Sequence, residues 1–471
     1  MSKIFRKASE PLSADFINRK FEKYGLSENP FPITPYVNQD SPEKKYNGSI
    51  YDDSIREDEF EKIKTNFLNI SQNEADHLRL GFIIDKSFIG RGNGKSSFLL
   101  HLYKAVNSDY CLDISNGVNK CFAIYFSPDG GGAIKSFDKF VDNFFQAICK
   151  KQIINEALAI LRYEAIEELN DWKKPSEVAK LDESEIVERL NDTLWLSNNT
   201  KSFRSVIAKQ IFKKPLLAAL PAEFPLKKEL AGSKLSNQDS FIEYYSTLRK
   251  DKAKLDFVFD HLVALFISAG FNGSYVLVDD FEKIPDFQSS NQKKDFATQL
   301  RTVLFDGGYL NSRIGFYNFI LALHAGVPRL MAEPWSLAGM EQRVPMSSAL
   351  EQKHIIDFGK LENKHAITLL KKYLSEFRKP GYKGKELSPF DEASIILLAN
   401  TSEMNISKIL KNSNQILEAA DNEKISQIDT DYVNSFFSKK NESKQLEAEE
   451  KIINNSEKVD LLKKIDQGNK K

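Results

Sequence analysis

The run Gly92-Asn93-Gly94-Lys95-Ser96-Ser97 combines the residue types that a polyphosphate requires. Two glycines let the main chain come close enough for its N–H groups to converge on phosphate oxygens, a lysine brings positive charge, and a hydroxyl follows that can ligate Mg²⁺. In this reading Lys95 neutralises the β and γ phosphates of ATP, Ser96 ligates the metal and Ser97 reaches the α phosphate. Gly90, Arg91, Gly92, Asn93 and Gly94 form the cradle. The usual pattern has its first glycine where this chain has Ile89, and Gly90 can absorb much of the sharp turn that the missing glycine would make.

Such a loop needs an acidic partner far away in sequence. The segment "YVLVDD" is an apolar run ending in two carboxylates, the place for a Mg²⁺-water ligand and a water-activating base in phosphoryl transfer. Asp279 takes the metal role and Asp280 the base role, with Glu282, on the turn beyond, a second candidate base. Two acids at a strand end can also serve as a turn or helix cap, and it is the loop upstream that favours the chemical reading. His324 ends the next apolar run, where it can report on the γ phosphate or the attacking water, or be a satisfied core histidine.

These residues must be carried by a parallel sheet. An apolar run before the loop, Cys121 to Phe126, Tyr275 to Val278 and Phe316 to Leu323 read as buried strands, and strands that alternate with helices predict an α/β fold. "SIREDEFEKIKTNFLNI" predicts a helix with Phe60, Ile63, Phe67 and Ile70 on one face, and "KSSFLLHLYKAV" a second directly after the loop. Ser388-Pro389-Phe390-Asp391 predicts a capping box with proline at the first helical position. The division expected is an N-terminal arm (1–55), a nucleotide-binding core (56–135 and 270–357), a helical insertion (136–269), a helical lid (358–438) and a charged tail (439–471).

Composition narrows the classes. The chain has 471 residues, 66 basic against 66 acidic, so no global charge selects nucleic acid or a basic partner. A local excess of bases lies between Lys201 and Lys234, suited to phosphates or to a solvated helix face. Cys111, Cys121 and Cys149 lack paired or metal-type spacing, which predicts a reducing compartment and no structural zinc. No leader-like or membrane-spanning apolar stretch is seen, so a cytoplasmic protein with no membrane partner is expected.

As an ordered set these motifs resemble the AAA+ P-loop ATPases, in the branch that includes origin-recognition and initiator proteins, transposition regulators and the ATP-binding proteins of BREX-type phage-defence islands. "YGLSENPF" is similar to their opening "GL..NPF" arm, "SIREDEFEKIKTNF" to the helix before the loop, and "SAGFNGSYVLVDDFEKI" with "ILALHAGVPRL" to the acidic and sensor strands. "NISKILKNSNQILEAADNEKISQIDTDYV" is similar to the lid helices, with Ser407 where the lid arginine is expected and Lys408 beside it. By this resemblance the arm and the Arg56 region lie near the adenine, and subunits assemble into a homo-oligomer whose ATP is completed by a neighbour's arginine, Arg343 or, second, Arg329. It implies an ATP- and Mg²⁺-dependent ATPase acting on duplex DNA or on a DNA-acting partner, in phage defence or a mobile-element system. The alternative is an ATP-gated scaffold that recruits a separately encoded effector, and a third reading is an α/β protein with a vestigial site. Asp280 in place of the common glutamate implies slow turnover.

Overall fold

The computed structural model describes residues 20–69, 77–85, 92–128, 135–168, 183–192, 194, 207–227, 237–324, 327–345 and 352–442. Within them the chain divides into two compact units. One combines the arm up to Ile55, the short stretch Gly92–Gly94 and the chain from Lys360 onward; the other holds Arg56 to Gly359 apart from that stretch.

The larger unit is a five-stranded sheet, all parallel, in the order β2-β3-β4-β1-β5. Its strands are β1 (Leu80–Asp85), β2 (Cys121–Phe126), β3 (Gly273–Val278), β4 (Tyr317–His324) and the short β5 (Ile355–Asp357). β5 is a strand that the apolar pattern does not announce, because three residues carry too little periodicity to be told from a loop. The connection from β1 crosses to the far edge, whereas β2, β3 and β4 step back one place at a time and β5 lies beyond β1. Right-handed crossovers in opposite lateral directions place their helices on opposite faces, so the direction of winding reverses at β1. The crevice at the carboxyl end of such a strand is where open α/β sheets bind ligands.

Both faces are covered, which is why the strands read as unbroken apolar runs. Leu80, Phe82, Ile84, Phe122, Ile124, Phe126, Val276, Val278, Phe319 and Leu321 alternate onto one face and share a single apolar cluster with α3 (Phe137–Lys151), α4 (Ile153–Glu167) and α5 (Leu262–Ser268). Phe140 meets the rings of Phe126, Phe281, Phe296 and Phe319, and Phe144 meets Tyr317 edge-on at 4.9 Å. The segment between β2 and β3 thus begins and ends as a helical layer of the sheet itself, and no strand occurs among its described residues. The helix α2 (Lys95–Val106) buries Phe98, Leu99, Leu102 and Val106 and packs beside β2.

Before β1, α1 (Glu57–Ile63) opens on Glu57, Asp58 and Glu59 at its dipole-positive end and continues as a π-helical turn, Lys64–Leu68. The wider turn changes the phase, so Phe67 and Leu68 are both buried, while Ile70 lies outside the described residues.

The smaller unit has its own core of Tyr24, Leu26 and Phe31 from the arm against helices α8 (Asn363–Glu376), α9 (Glu392–Thr401) and α10 (Ile406–Asn422). Asn29 donates to the Asn414 carbonyl at 3.1 Å and Asn414 donates back to the Phe31 carbonyl at 2.7 Å. Arg378 donates to the carbonyls of Tyr24, Glu386 and Ser388. The cap of α9 differs from the expected Ser388 box. Asp391 is the capping residue, accepting from the Ser394 N–H at 2.8 Å, because the helix starts only at Glu392 and the Ser388 N–H, which a box there would use, donates to the Lys385 carbonyl at 3.1 Å.

Candidate functional site

In the larger unit the site begins at the N-terminus of α2. Lys95, 8 % exposed, is its first residue, with Ser96 and Ser97 half-buried in the same turn, where main-chain N–H groups have no partner within the helix. The Ser96 hydroxyl lies near enough to the Asp279 carboxylate to help hold its pKa down. Asp279 continues the β2–β3 ladder by one bond, its N–H donating to the Phe126 carbonyl at 3.0 Å, so the acid stands just past the end of β3.

Asp279 is 5 % exposed, and its carboxylate has partners on both oxygens. Oδ2 accepts from the Tyr125 hydroxyl at 2.9 Å and Oδ1 from the Asp280 N–H at 2.9 Å. Burial pushes its pKa up, the neighbouring Asp280 charge adds to this, and the Ser96 hydroxyl and the bonds from Tyr125 and the Asp280 N–H hold it down. Burial and the Asp279 charge push the Tyr125 phenol far above its ordinary range, so it stays a donor.

The two candidate bases separate here. Asp280 sits at φ 48, a left-handed conformation that aspartate tolerates better than most residues, and its carboxylate turns to Lys283 at 2.7 Å. Glu282, its side chain 2 % exposed, places Oε1 2.8 Å from Nε2 of His324 at the end of β4. Asp85, also buried, ends β1 in register with His324. Asp279, Glu282, His324 and Asp85 thus gather at the carboxyl edge of three adjacent strands.

In the smaller unit Gly92 (φ 98) and Gly94 (φ 86) take backbone conformations that side chains rarely adopt. The Ser407 N–H donates to the Gly92 carbonyl at 3.0 Å, and a Cβ on Gly92 would lie 2.6 Å from the Ser407 side chain. Asn93 is buried. Lys408 pairs with Glu403 at 2.6 Å.

Other expected residues fall elsewhere. Gly90 and Arg91 lie outside the described residues, as does the side chain of Arg329. Arg343 is exposed and close enough to Arg79 for its charge to lower the Arg79 pKa, second to burial. Arg79 immediately precedes β1, which puts Arg343 at the amino ends of the strands, away from Lys95 and Asp279 of its own chain. Arg56 is buried against Glu59 at 2.9 Å, with its guanidinium over the Phe358 ring. Of the basic stretch, Lys214 pairs with Glu164 and Lys227 donates to the carbonyls of Ala218 and Leu220, while Lys201, Arg204, Lys228 and Lys234 lie outside the described residues.

Tyr125 was not singled out by sequence. Its signal is the strand alternation, which puts position 125 with Cys121 and Ala123 on the face opposite Phe122, Ile124 and Phe126.

The donor set fits Mg²⁺ held together with a nucleotide. Among the described residues no cluster of three or more His, Cys, Asp or Glu could hold a metal by itself. Mg²⁺ ordinarily takes one or two protein oxygens and completes its shell with phosphates and water, and the Ser96 hydroxyl and Asp279 carboxylate would be those protein oxygens. No family model matches this chain, and no curated protein matches it either. Among the described residues no helix is long and apolar enough to cross a membrane.

Proposed function

We propose that this chain is an ATP-binding switch of the AAA+ type that hydrolyses ATP slowly. The observation that carries the reading is the proximity of Ser96, in the first turn after a glycine-lysine-serine loop, to Asp279, just past the end of a buried parallel strand. Two residues 183 positions apart, one opening α2 and one just past β3, come together at the carboxyl ends of the parallel strands.

Residues 90–97 would cradle the phosphates, with Lys95 as the cation. Ser96 and Asp279 would hold Mg²⁺, which when bound supplies charge neutralisation of the β and γ oxygens. Glu282, buried with Oε1 2.8 Å from Nε2 of His324, is better placed than Asp280 to accept the proton of an attacking water, since Asp280 is engaged by Lys283. An arginine at position 343 would act on a neighbouring subunit's nucleotide, which makes assembly part of turnover. A role on duplex DNA or on a DNA-acting partner, in phage defence or a mobile-element system, rests on the motif resemblance alone.

A second reading is an ATP-gated scaffold for a separate effector protein. It is motivated by Ser407, where the motif resemblance expects a lid arginine, and by Lys408, which pairs with Glu403 at 2.6 Å. ATP binding, hydrolysis rate and assembly state for the wild type and Lys95→Ala, with and without duplex DNA, test both. DNA-stimulated turnover supports the first, ATP-dependent partner capture without DNA effect supports the second, and a wild type that binds ATP no better than Lys95→Ala removes both.

A further inference from the structure

Asp279 is held from a third element that the loop-and-acid reading does not use. Tyr125 is the penultimate residue of β2, paired with Leu277 of β3, and its phenol reaches past the strand ends to Oδ2 of Asp279 at 2.9 Å. The opposite oxygen is capped by the Asp280 N–H at 2.9 Å. With a donor on each oxygen the carboxylate plane is set, and acceptor capacity remains even with Ser96 beside it, since an ionised carboxylate offers about four acceptor sites.

The ring itself is braced. Tyr103 of α2 packs edge-on against Tyr125 with ring centroids 6.5 Å apart, so the helix that presents Ser96 and the strand that presents Asp279 both bear on one aromatic side chain. A tyrosine is suited to this because its polar tip sits on a rigid ring with two torsions, which costs little entropy to fix.

We propose that Tyr125 is a positioning residue for the metal: its hydroxyl holds the Asp279 carboxylate in the orientation in which Asp279 and the Ser96 hydroxyl act together on Mg²⁺·ATP. The proposal rests on the ATP reading above. Outer partners of a metal ligand are worth about 10- to 100-fold in metal affinity, and that is the scale expected here.

The test uses the full chain, a fluorescent ATP analogue and Mg²⁺ titrations, with Mn²⁺ as a spectroscopic probe. Tyr125→Phe removes one oxygen and leaves the ring packing. It should bind nucleotide in EDTA within about twofold of wild type, raise the Mg²⁺ needed for half-saturation about tenfold or more, and alter the Mn²⁺ resonance of the ternary complex. In an Asp279→Asn background the same change should have no further effect on the Mg²⁺ requirement, because the group it orients is gone. An unchanged Mg²⁺ requirement in Tyr125→Phe, or additive effects in the double variant, overturns the proposal while the ATP reading stands. Absence of nucleotide binding by the wild type in both EDTA and Mg²⁺ overturns the ATP reading and the proposal with it.

Discussion

Nε2 of His324 lies 2.8 Å from Oε1 of Glu282, joining the end of β4 to the turn after β3. The histidine side chain is 22 % exposed and the glutamate 2 %, so the pair has a wet end and a dry end. That is a suitable arrangement for a carboxylate that must take a proton from one water and be shielded from the rest. Glu282→Gln should therefore lower ATP hydrolysis by about 10²-fold or more with nucleotide binding retained. Asp280→Ala should cost less than about tenfold, since Asp280 already faces Lys283. Single-turnover assays beside equilibrium binding separate the two, and the reverse order of effects would return the base role to Asp280.

Arg343 stands apart from its own chain's Lys95 and Asp279, at the opposite ends of the strands. Arg343→Ala should bind ATP as the wild type does and lose about 10³-fold or more of any assembly-dependent turnover. Mixing Arg343→Ala with Lys95→Ala should restore activity, because each supplies what the other lacks at a shared interface. Turnover of Arg343→Ala equal to wild type at all protein concentrations excludes the in-trans role.

Phe144 is fully buried between the sheet and the helices that follow β2, touching Phe126, Phe259, Tyr317 and Phe319. Phe144→Ala should destabilise the larger unit by about 3–5 kcal/mol, the range for deleting a buried ring. Denaturant unfolding measures it. A cost below about 1 kcal/mol would mean that these helices do not share the sheet's core.

Arg378 fastens the arm to the rest of the smaller unit by donating to three carbonyls, of Tyr24, Glu386 and Ser388. Arg378→Leu leaves those acceptors without a charged donor, at about 1.5–3 kcal/mol for each bond that is lost and not replaced by water. Limited proteolysis should then cut near residues 20–38 faster than in wild type, with the larger unit intact.

Burial pushes the Cys149 thiol up to about 12 from 9.0. The folded state keeps this proton where the unfolded chain releases it, so the contribution is fully present below pH 9 and is lost as pH rises through about 12. Iodoacetamide at pH 8 should label native Cys149 far more slowly than the denatured chain, read by peptide mass. Equal rates would place the thiol in water.

Much of this architecture was legible because it is local. Cys121–Phe126 and Tyr275–Val278 are dense apolar runs closed by turn or acidic residues, and such runs are strands whatever surrounds them. The glycine-lysine-serine run and the acids at 279 and 280 were likewise visible as residue types. What failed was local chemistry outbid by long-range contacts. The Ser388 box gave way to Asp391 because the Ser388 N–H is engaged by the Lys385 carbonyl, and β5 is defined only by lying beside β1.

The division of roles among the acids shows where sequence stops. Residue types by themselves determined that a cation, a hydroxyl and a carboxylate pair stand at the two ends of an α/β sheet's chemistry. Which carboxylate faces what was decided only by the tertiary structure. A left-handed turn at Asp280 sends its side chain to Lys283, the end of β4 brings His324 to Glu282, and β2 beside β3 brings Tyr125 to Asp279. Orientation of a side chain depends on the backbone angles of its own residue and on partners brought from other strands, and neither is written in the spacing of a motif.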